Sequence, residues 1–170
     1  MKNTKPRFSS GTQVEATPKG YHSVTPYLSI KDAGRAIDFY KRVFGAQERL
    51  RMPGPDGKSV MHAELTIGDS IIMLSEEMPQ FGTKSPSTLN GTTVNFAFYV
   101  QNADAMFKKA VDAGSTVISP MEDRFYGDRA GIIQDPFGHK WTIATHIEDV
   151  PMEELKKRME AQGAKMGEKK

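Results

Sequence analysis

Residues 60–68, VMHAELTIG, set a histidine and a glutamate two positions apart, His62 and Glu64, in a run that alternates like a strand. Side chains of an extended chain point alternately to opposite faces, so Val60, His62, Glu64 and Thr66 share one face and Met61, Ala63, Leu65 and Ile67 the other. An imidazole beside a carboxylate can supply half a metal site, act as a general base, or hydrogen-bond to its neighbour and to a ligand. A closed metal site needs three or four convergent ligands. The other obvious donors, Glu76, Glu77, His139 and His146, fall near strand ends or turns. Hydrogen bonding is the favoured role, toward a ligand or within the sheet.

Two further stretches carry chemistry. RFYGDRAG (124–131) offers two aromatics, a glycine turn and Asp128-Arg129 between strands, where binding residues tend to sit. Arg129 can grip a carboxylate or phosphonate with two parallel hydrogen bonds, or pair with Asp128 or Glu122 at the surface. DPFG (135–138) has the Asp, Pro and Gly of a type I turn, which accounts for Asp135 without a catalytic role.

The elements that must position these groups come in two matching sets. TPYLSI (25–30) reads as a strand and DAGRAIDFYKRVFGA (32–46) as a helix, with Asp32 placed to cap its start and Gly45 to end it. Strands ERLRM and VMHAELTI are joined by PGPDGK, and Gly68-Asp69 turns into SIIMLS. Then VNFAFYV (94–100), the helix NADAMFKKAVDAG (102–114), and strands STVISP, RAGIIQ and HKWTIATHI repeat the order. VTPYLSIKDA lies over VNFAFYVQNA position for position, which points to a duplicated strand–helix–strand–strand–strand unit. The expected fold is α+β: two βαβββ modules related by a pseudo-twofold, building one curved, mostly antiparallel eight-stranded sheet around a cleft. On that fold His62 and Glu64 face the cleft while Met61, Ala63, Leu65 and Trp141 pack beneath the helices.

The composition sets limits. With 170 residues and 18.9 kDa the chain suits one domain of two fused modules, and 38% hydrophobic content is enough for a core. A balance of 23 basic and 21 acidic residues, net +2, gives no reason to expect nucleic acid, and no apolar run is long enough to span a membrane. Cysteine is absent, which removes disulfides, thiolate nucleophiles and zinc–sulfur sites. Residues 1–20 read as a polar arm without the apolar centre of a secretory signal, so a cytoplasmic location is expected. Residues 148–170 read as a helix and tail, with Pro151 at the helix start and a thin Met152, Leu155, Met159 stripe.

Paired modules carrying IDFYKRVFGA after the first strand and DPFGHKW before the last resemble the vicinal-oxygen-chelate superfamily of glyoxalase I, extradiol dioxygenases and bleomycin-resistance proteins. TPYLSI, MHAELTIGDSIIMLSEE, FYGDRAG and DPFGHKWTIATH resemble its PhnB-like branch. The resemblance covers about residues 21–150 and implies a glyoxalase-like domain at 21–147, with modules at about 21–80 and 92–147. It also implies a homodimer. Metal-dependent members take one ligand from the first and one from the last strand of each module. Carried over, those positions are Thr25, Met73, Asn95 and Thr142, where hydroxyl, thioether and carboxamide groups replace imidazole and carboxylate. The resemblance therefore implies no metal and no cofactor here.

The expected cleft wall comprises Thr25, Tyr27, His62, Glu64, Met73, Asn95, Tyr99 and Thr142, with Arg129 from the loop. It is small, polar and aromatic, suited to an uncharged or zwitterionic organic ligand. The leading reading is a metal-independent glyoxalase-like protein that binds a small organic molecule, in sequestration or resistance. Second is a lyase or isomerase of glyoxalase type, using a general base or a non-standard metal site. A scaffolding dimer without a small ligand is third.

Overall fold

The computed structural model describes residues 14–167. The expected arm at 1–20 lies largely outside the described residues. The first module runs β1 (Tyr27–Ile30), α1 (Ala33–Phe44), β2 (Gln47–Pro53), β3 (Val60–Ile67) and β4 (Ser70–Glu76). A connection holding a 3-10 turn (Pro79–Phe81) and the short helix α2 (Pro86–Leu89) leads to the second module. That module runs β5 (Asn95–Tyr99), α3 (Ala103–Asp112), β6 (Thr116–Asp123), β7 (Asp128–Gln134) and β8 (Lys140–His146), and α4 (Met152–Gly167) follows. Among the described residues no helix is long and apolar enough to cross a membrane.

The strands form two four-stranded mixed sheets, ordered β1-β4-β3-β2 and β5-β8-β7-β6, rather than one continuous eight-stranded sheet. Four of the six pairings are antiparallel, and β1–β4 and β5–β8 are the parallel ones. β1 and β5 are short edge strands, and no main-chain ladder joins them. The modules are joined by side chains instead. Tyr40 and Phe44 of α1 pack on Trp141 with ring centroids 5.6 and 4.7 Å away, Phe44 meets Phe98 at 5.5 Å, and Phe39 meets Phe137 at 6.0 Å. Edge-to-face aromatic packing of this kind adds specific geometry to a large buried area.

The duplication extends to the helix starts. Asp32, expected to cap α1 with its side chain, has φ 68° and makes no such bond. Glu76 from β4 caps the helix in its place, accepting from the Asp32 and Ala33 N–H groups at 2.7 and 3.0 Å. At the equivalent place in the second module Thr145 of β8 accepts from the Ala103 N–H at 2.9 Å. Aligning Met73 with Thr142 aligns Glu76 with Thr145, so both helices are anchored from the same strand position. Gly45 ends α1 in the left-handed region that glycine enters freely, with its N–H bonded to the Tyr40 carbonyl.

Alternation along β3 breaks at one point. Ala63, Leu65 and Ile67 are buried as expected, but Met61 is 48% exposed and Val60 takes the core position. The pairing with β2 slips between Met52 and Pro53, and a slip of one residue turns the strand end over. Trp141 is buried beneath the helices, as its parity requires.

Candidate functional site

The face of the first sheet away from α1 carries a connected set of polar groups. The Tyr27 hydroxyl lies 3.0 Å from His62 Nδ1, and His62 Nε2 lies 3.4 Å from Glu64 Oε1. The two rings sit 5.5 Å apart. Glu64 Oε2 also accepts from the Tyr21 hydroxyl, and Arg49 Nη1 approaches the same oxygen at 3.8 Å. These contacts hold the Glu64 carboxyl below its usual range: the Tyr21 hydrogen bond is the main cause, partial burial opposes it, and His62 and Arg49 reinforce it. Reciprocally, Glu64 pushes the Tyr21 phenol up. An ionised Glu64 accepts only, so it pairs with a proton on His62 Nε2, and in that neutral tautomer Nδ1 accepts from the Tyr27 hydroxyl. Tyr27 itself is 53% exposed. Beside this chain Thr25, Glu64, Met73 and Tyr21 line a recess of about 390 Å³, closed on one side by residues 16–18.

The matching face of the second sheet carries a different set. Tyr99 donates to Asp128 Oδ2 at 2.8 Å, and His146 Nδ1 meets Asp128 Oδ1 at 2.7 Å, with Asp149 3.0 Å from Nε2. Asp128 is buried, and its hydrogen bond pushes the Tyr99 phenol up. The Asp128 hydrogen bond, seconded by Asp149, raises the His146 pKa above that of a free imidazole. A raised histidine contributes stability that is fully present below the unfolded value of about 6.5 and is lost as pH rises through the folded one. The His146 ring proton should therefore titrate above about pH 6.5 in NMR, and Asp128→Asn should move the midpoint down. An unmoved midpoint would contradict the pairing.

The structure brings Thr25, Tyr27, His62, Glu64 and Met73 together on the first sheet, and Asn95, Tyr99 and Thr142 on the second. Arg129 lies apart from both groups. It holds Asp104 of α3 by two hydrogen bonds of 2.6 Å and Asp123 by one of 2.9 Å, so its fork fastens α3 to β7 and is not open to a ligand carboxylate or phosphonate. Its partners differ from the Asp128 or Glu122 that proximity in sequence suggests. Tyr21 and Arg49 are additions that alternation cannot supply. Tyr21 precedes the first strand, and Arg49 sits where the β2–β3 register slips between Glu48 and Leu50, which turns it toward Glu64. Glu76 and Glu77 are occupied as caps, Glu77 by the Ser85 N–H and the Thr88 hydroxyl.

The four positions that the resemblance assigns to metal ligands do not fit a divalent transition metal. Thr25 donates to the His22 carbonyl at 3.3 Å, and the Asn95 amide donates to the Thr142 hydroxyl at 2.8 Å. Met73 offers only a thioether, and none of the four carries an imidazole or a carboxylate. Among the described residues no three His, Cys, Asp or Glu side chains gather as a metal-binding group. After dialysis without chelator the purified protein should hold far less than one equivalent of zinc, nickel, manganese or iron by elemental analysis. Near one equivalent, lost in His62→Ala, would place a site on β3 instead.

The family model described as the Glyoxalase/Bleomycin resistance protein/Dioxygenase superfamily matches residues 20–143. The uncharacterized protein Mb0911c of Mycobacterium bovis is 43% identical over 144 residues, which is 83% of this chain and 94% of that protein. Among solved structures, TioX from Micromonospora sp. ML1 superposes with a TM-score of 0.58 at 28% identity, over 72% of this chain and 97% of that one. The PhnB protein of Bacillus cereus shares the fold at 16% identity, with a TM-score of 0.59 over 73% of this chain and 99% of that one.

Proposed function

We propose, for a chain that belongs to the glyoxalase/bleomycin resistance protein/dioxygenase superfamily, that the open sheet face binds a small organic molecule without a metal, in sequestration or resistance. The observation that supports this most is the Tyr27–His62–Glu64 chain beside the 390 Å³ recess. A few polar groups of fixed direction set in a mixed wall of Met73, Thr25 and tyrosine are what orient an uncharged or zwitterionic ligand. Each group is held by another: Glu64 by Tyr21 and Arg49, His62 by Glu64, Tyr27 by His62. Such preorganisation lowers the ordering cost of binding.

A site of this kind normally buries most of its ligand, yet Tyr27 and Tyr99 are 53% and 60% exposed. We propose that a second copy of the chain closes the face, as a homodimer. Exposed Leu50, Met52 and Met61 at the outer edge of the first sheet, with the unpaired sheet edges, favour such covering. Light scattering should give twice the chain mass at micromolar concentration, and a monomer would remove the closure.

Native mass spectrometry of protein isolated gently from its own cells tests the binding itself. The expected result is a non-covalent adduct of small mass that is absent from Glu64→Ala. No adduct, together with no stabilising hit in a thermal-shift screen of metabolites and antibiotics, would overturn the reading.

One observation favours a second reading, a lyase or isomerase of glyoxalase type: the Tyr27 hydroxyl lies 3.0 Å from His62 Nδ1 while Glu64 backs Nε2. In the tautomer with Nε2–H toward Glu64, Nδ1 takes the Tyr27 proton and Glu64 stabilises the imidazolium that results. The Tyr27 oxygen would then be a base facing the ligand.

A further inference from the structure

A separate crevice of about 570 Å³ lies between the two modules, where the edge strands β1 and β5 approach without pairing and residues 84–94 pass over them. Its walls are the Tyr27–Ser29 edge, Phe96 and the connection that carries Lys84, Thr92 and Val94, and His139 lies among the lining residues. His139 is only 5% exposed, and its Nδ1 is buried without a hydrogen-bond partner. A buried polar atom left unmatched costs free energy, so its persistence calls for a reason.

The surroundings of the ring supply one. Asp135 Oδ2 lies 3.9 Å behind Nδ1, too far for a hydrogen bond but near enough to draw a proton to that nitrogen. Asp135 is itself saturated, accepting from the Phe137 and His139 N–H groups, the Tyr40 hydroxyl and the Trp141 indole. Burial lowers the His139 pKa, with Asp135 opposing, so the ring is neutral near pH 7. A neutral imidazole with its proton on Nδ1 has a lone pair on Nε2, and no described protein group bonds Nε2. Nδ1 lies on the Asp135 side of the ring, Nε2 lies on the ring's opposite edge, and His139 lines the crevice. Lys84, exposed at the rim, has no carboxylate within ion-pairing distance among the described residues.

We propose that this crevice is a second ligand site, one that takes a small aromatic acid bearing a hydroxyl or amino group. Its donor bonds to His139 Nε2, its ring lies against Phe96 and Tyr27, and its carboxylate meets Lys84. The volume admits one ring with its substituents and leaves space beyond it. The site is distinct from the open sheet face but shares Tyr27 with it.

Trp141, the only tryptophan, does not line the crevice but has its ring centroid 4.8 Å from that of Phe96, which does, and so senses occupancy through that ring. Titrating the full chain with 4-hydroxybenzoate should quench or shift its fluorescence saturably. Benzoate, which lacks the donor, should bind about tenfold more weakly, the effect of one lost hydrogen bond. His139→Phe should abolish the preference for the hydroxylated acid. Should that variant fold poorly, Lys84→Gln at the exposed rim provides the independent arm and should weaken both acids several-fold. Equal binding of the two acids, no saturable response to either, or indifference to Lys84→Gln would each overturn the proposal.

Discussion

Asp135→Asn should destabilise the protein by about 3 kcal/mol or more, although it changes one oxygen to nitrogen and leaves the turn sequence otherwise intact. The Asp135 side chain is fully buried and accepts four hydrogen bonds: two at 2.9 Å from its own turn, one at 2.8 Å from Tyr40 and one at 2.9 Å from Trp141. An amide has one acceptor oxygen. Whichever way it turns, its NH2 group meets donors, and the Trp141 indole N–H can only donate. A stranded buried donor costs about 1–3 kcal/mol, and the charge-assisted bond to Tyr40 is lost as well. Tyr40 belongs to α1 and Asp135 to the second module, so this bond fastens the two halves. Burial, and then the neighbouring carboxylate, push the Tyr40 phenol well above its usual range, which keeps it a donor at any working pH. Urea unfolding followed by Trp141 fluorescence measures the loss, and a change under about 1 kcal/mol would show that the carboxylate is dispensable. Tyr40→Phe, which removes one donor and leaves Asp135 three, should cost less, about 1–2 kcal/mol.

The same residue shows what the sequence can and cannot disclose. DPFG announced a turn, and the turn is there, with the Gly138 N–H on the Asp135 carbonyl at 3.0 Å. Nothing local announced that the other carboxylate oxygen would reach Tyr40, 95 positions away. Periodicity and the VTPYLSIKDA–VNFAFYVQNA match were enough for the two modules and for the core faces apart from the Val60–Met61 end of β3, because both follow from local repeats. They were not enough for the break between the sheets, where α1 joins the halves through ring contacts with Phe98, Phe137 and Trp141 that no local pattern marks. His62 and Glu64 were legible by alternation on β3. Their partners were not: Tyr21 lies before the first strand, and Arg49 is turned inward by a register slip that no residue type marks. Arg129 was misleading for a related reason, because its carboxylate partner Asp104 comes from a helix 25 positions earlier.

Glu64→Gln should weaken the ligand of the open face by about 10–100-fold, and Tyr27→Phe then separates binding from chemistry. Glu64 is the group on which Tyr21, His62 and Arg49 converge, and a hydrogen bond to a charged acceptor is worth about 1.5–3 kcal/mol. With a neutral amide there, His62 loses the carboxylate that fixes its tautomer, Arg49 loses its counter-charge, and Tyr27 loses a defined direction. Tyr27→Phe removes a single hydroxyl. If the face only binds, calorimetry with the molecule recovered from cells should show about a tenfold rise in Kd and no product at any time. If Tyr27 moves a proton, the same variant should lower kcat by about 10²–10⁴ with a small change in KM, the range for loss of a positioned base. The measured ratio of those two effects decides between sequestration and catalysis. Unchanged affinity in Glu64→Gln would show that the Tyr27–His62–Glu64 chain stabilises the sheet and has no part in either.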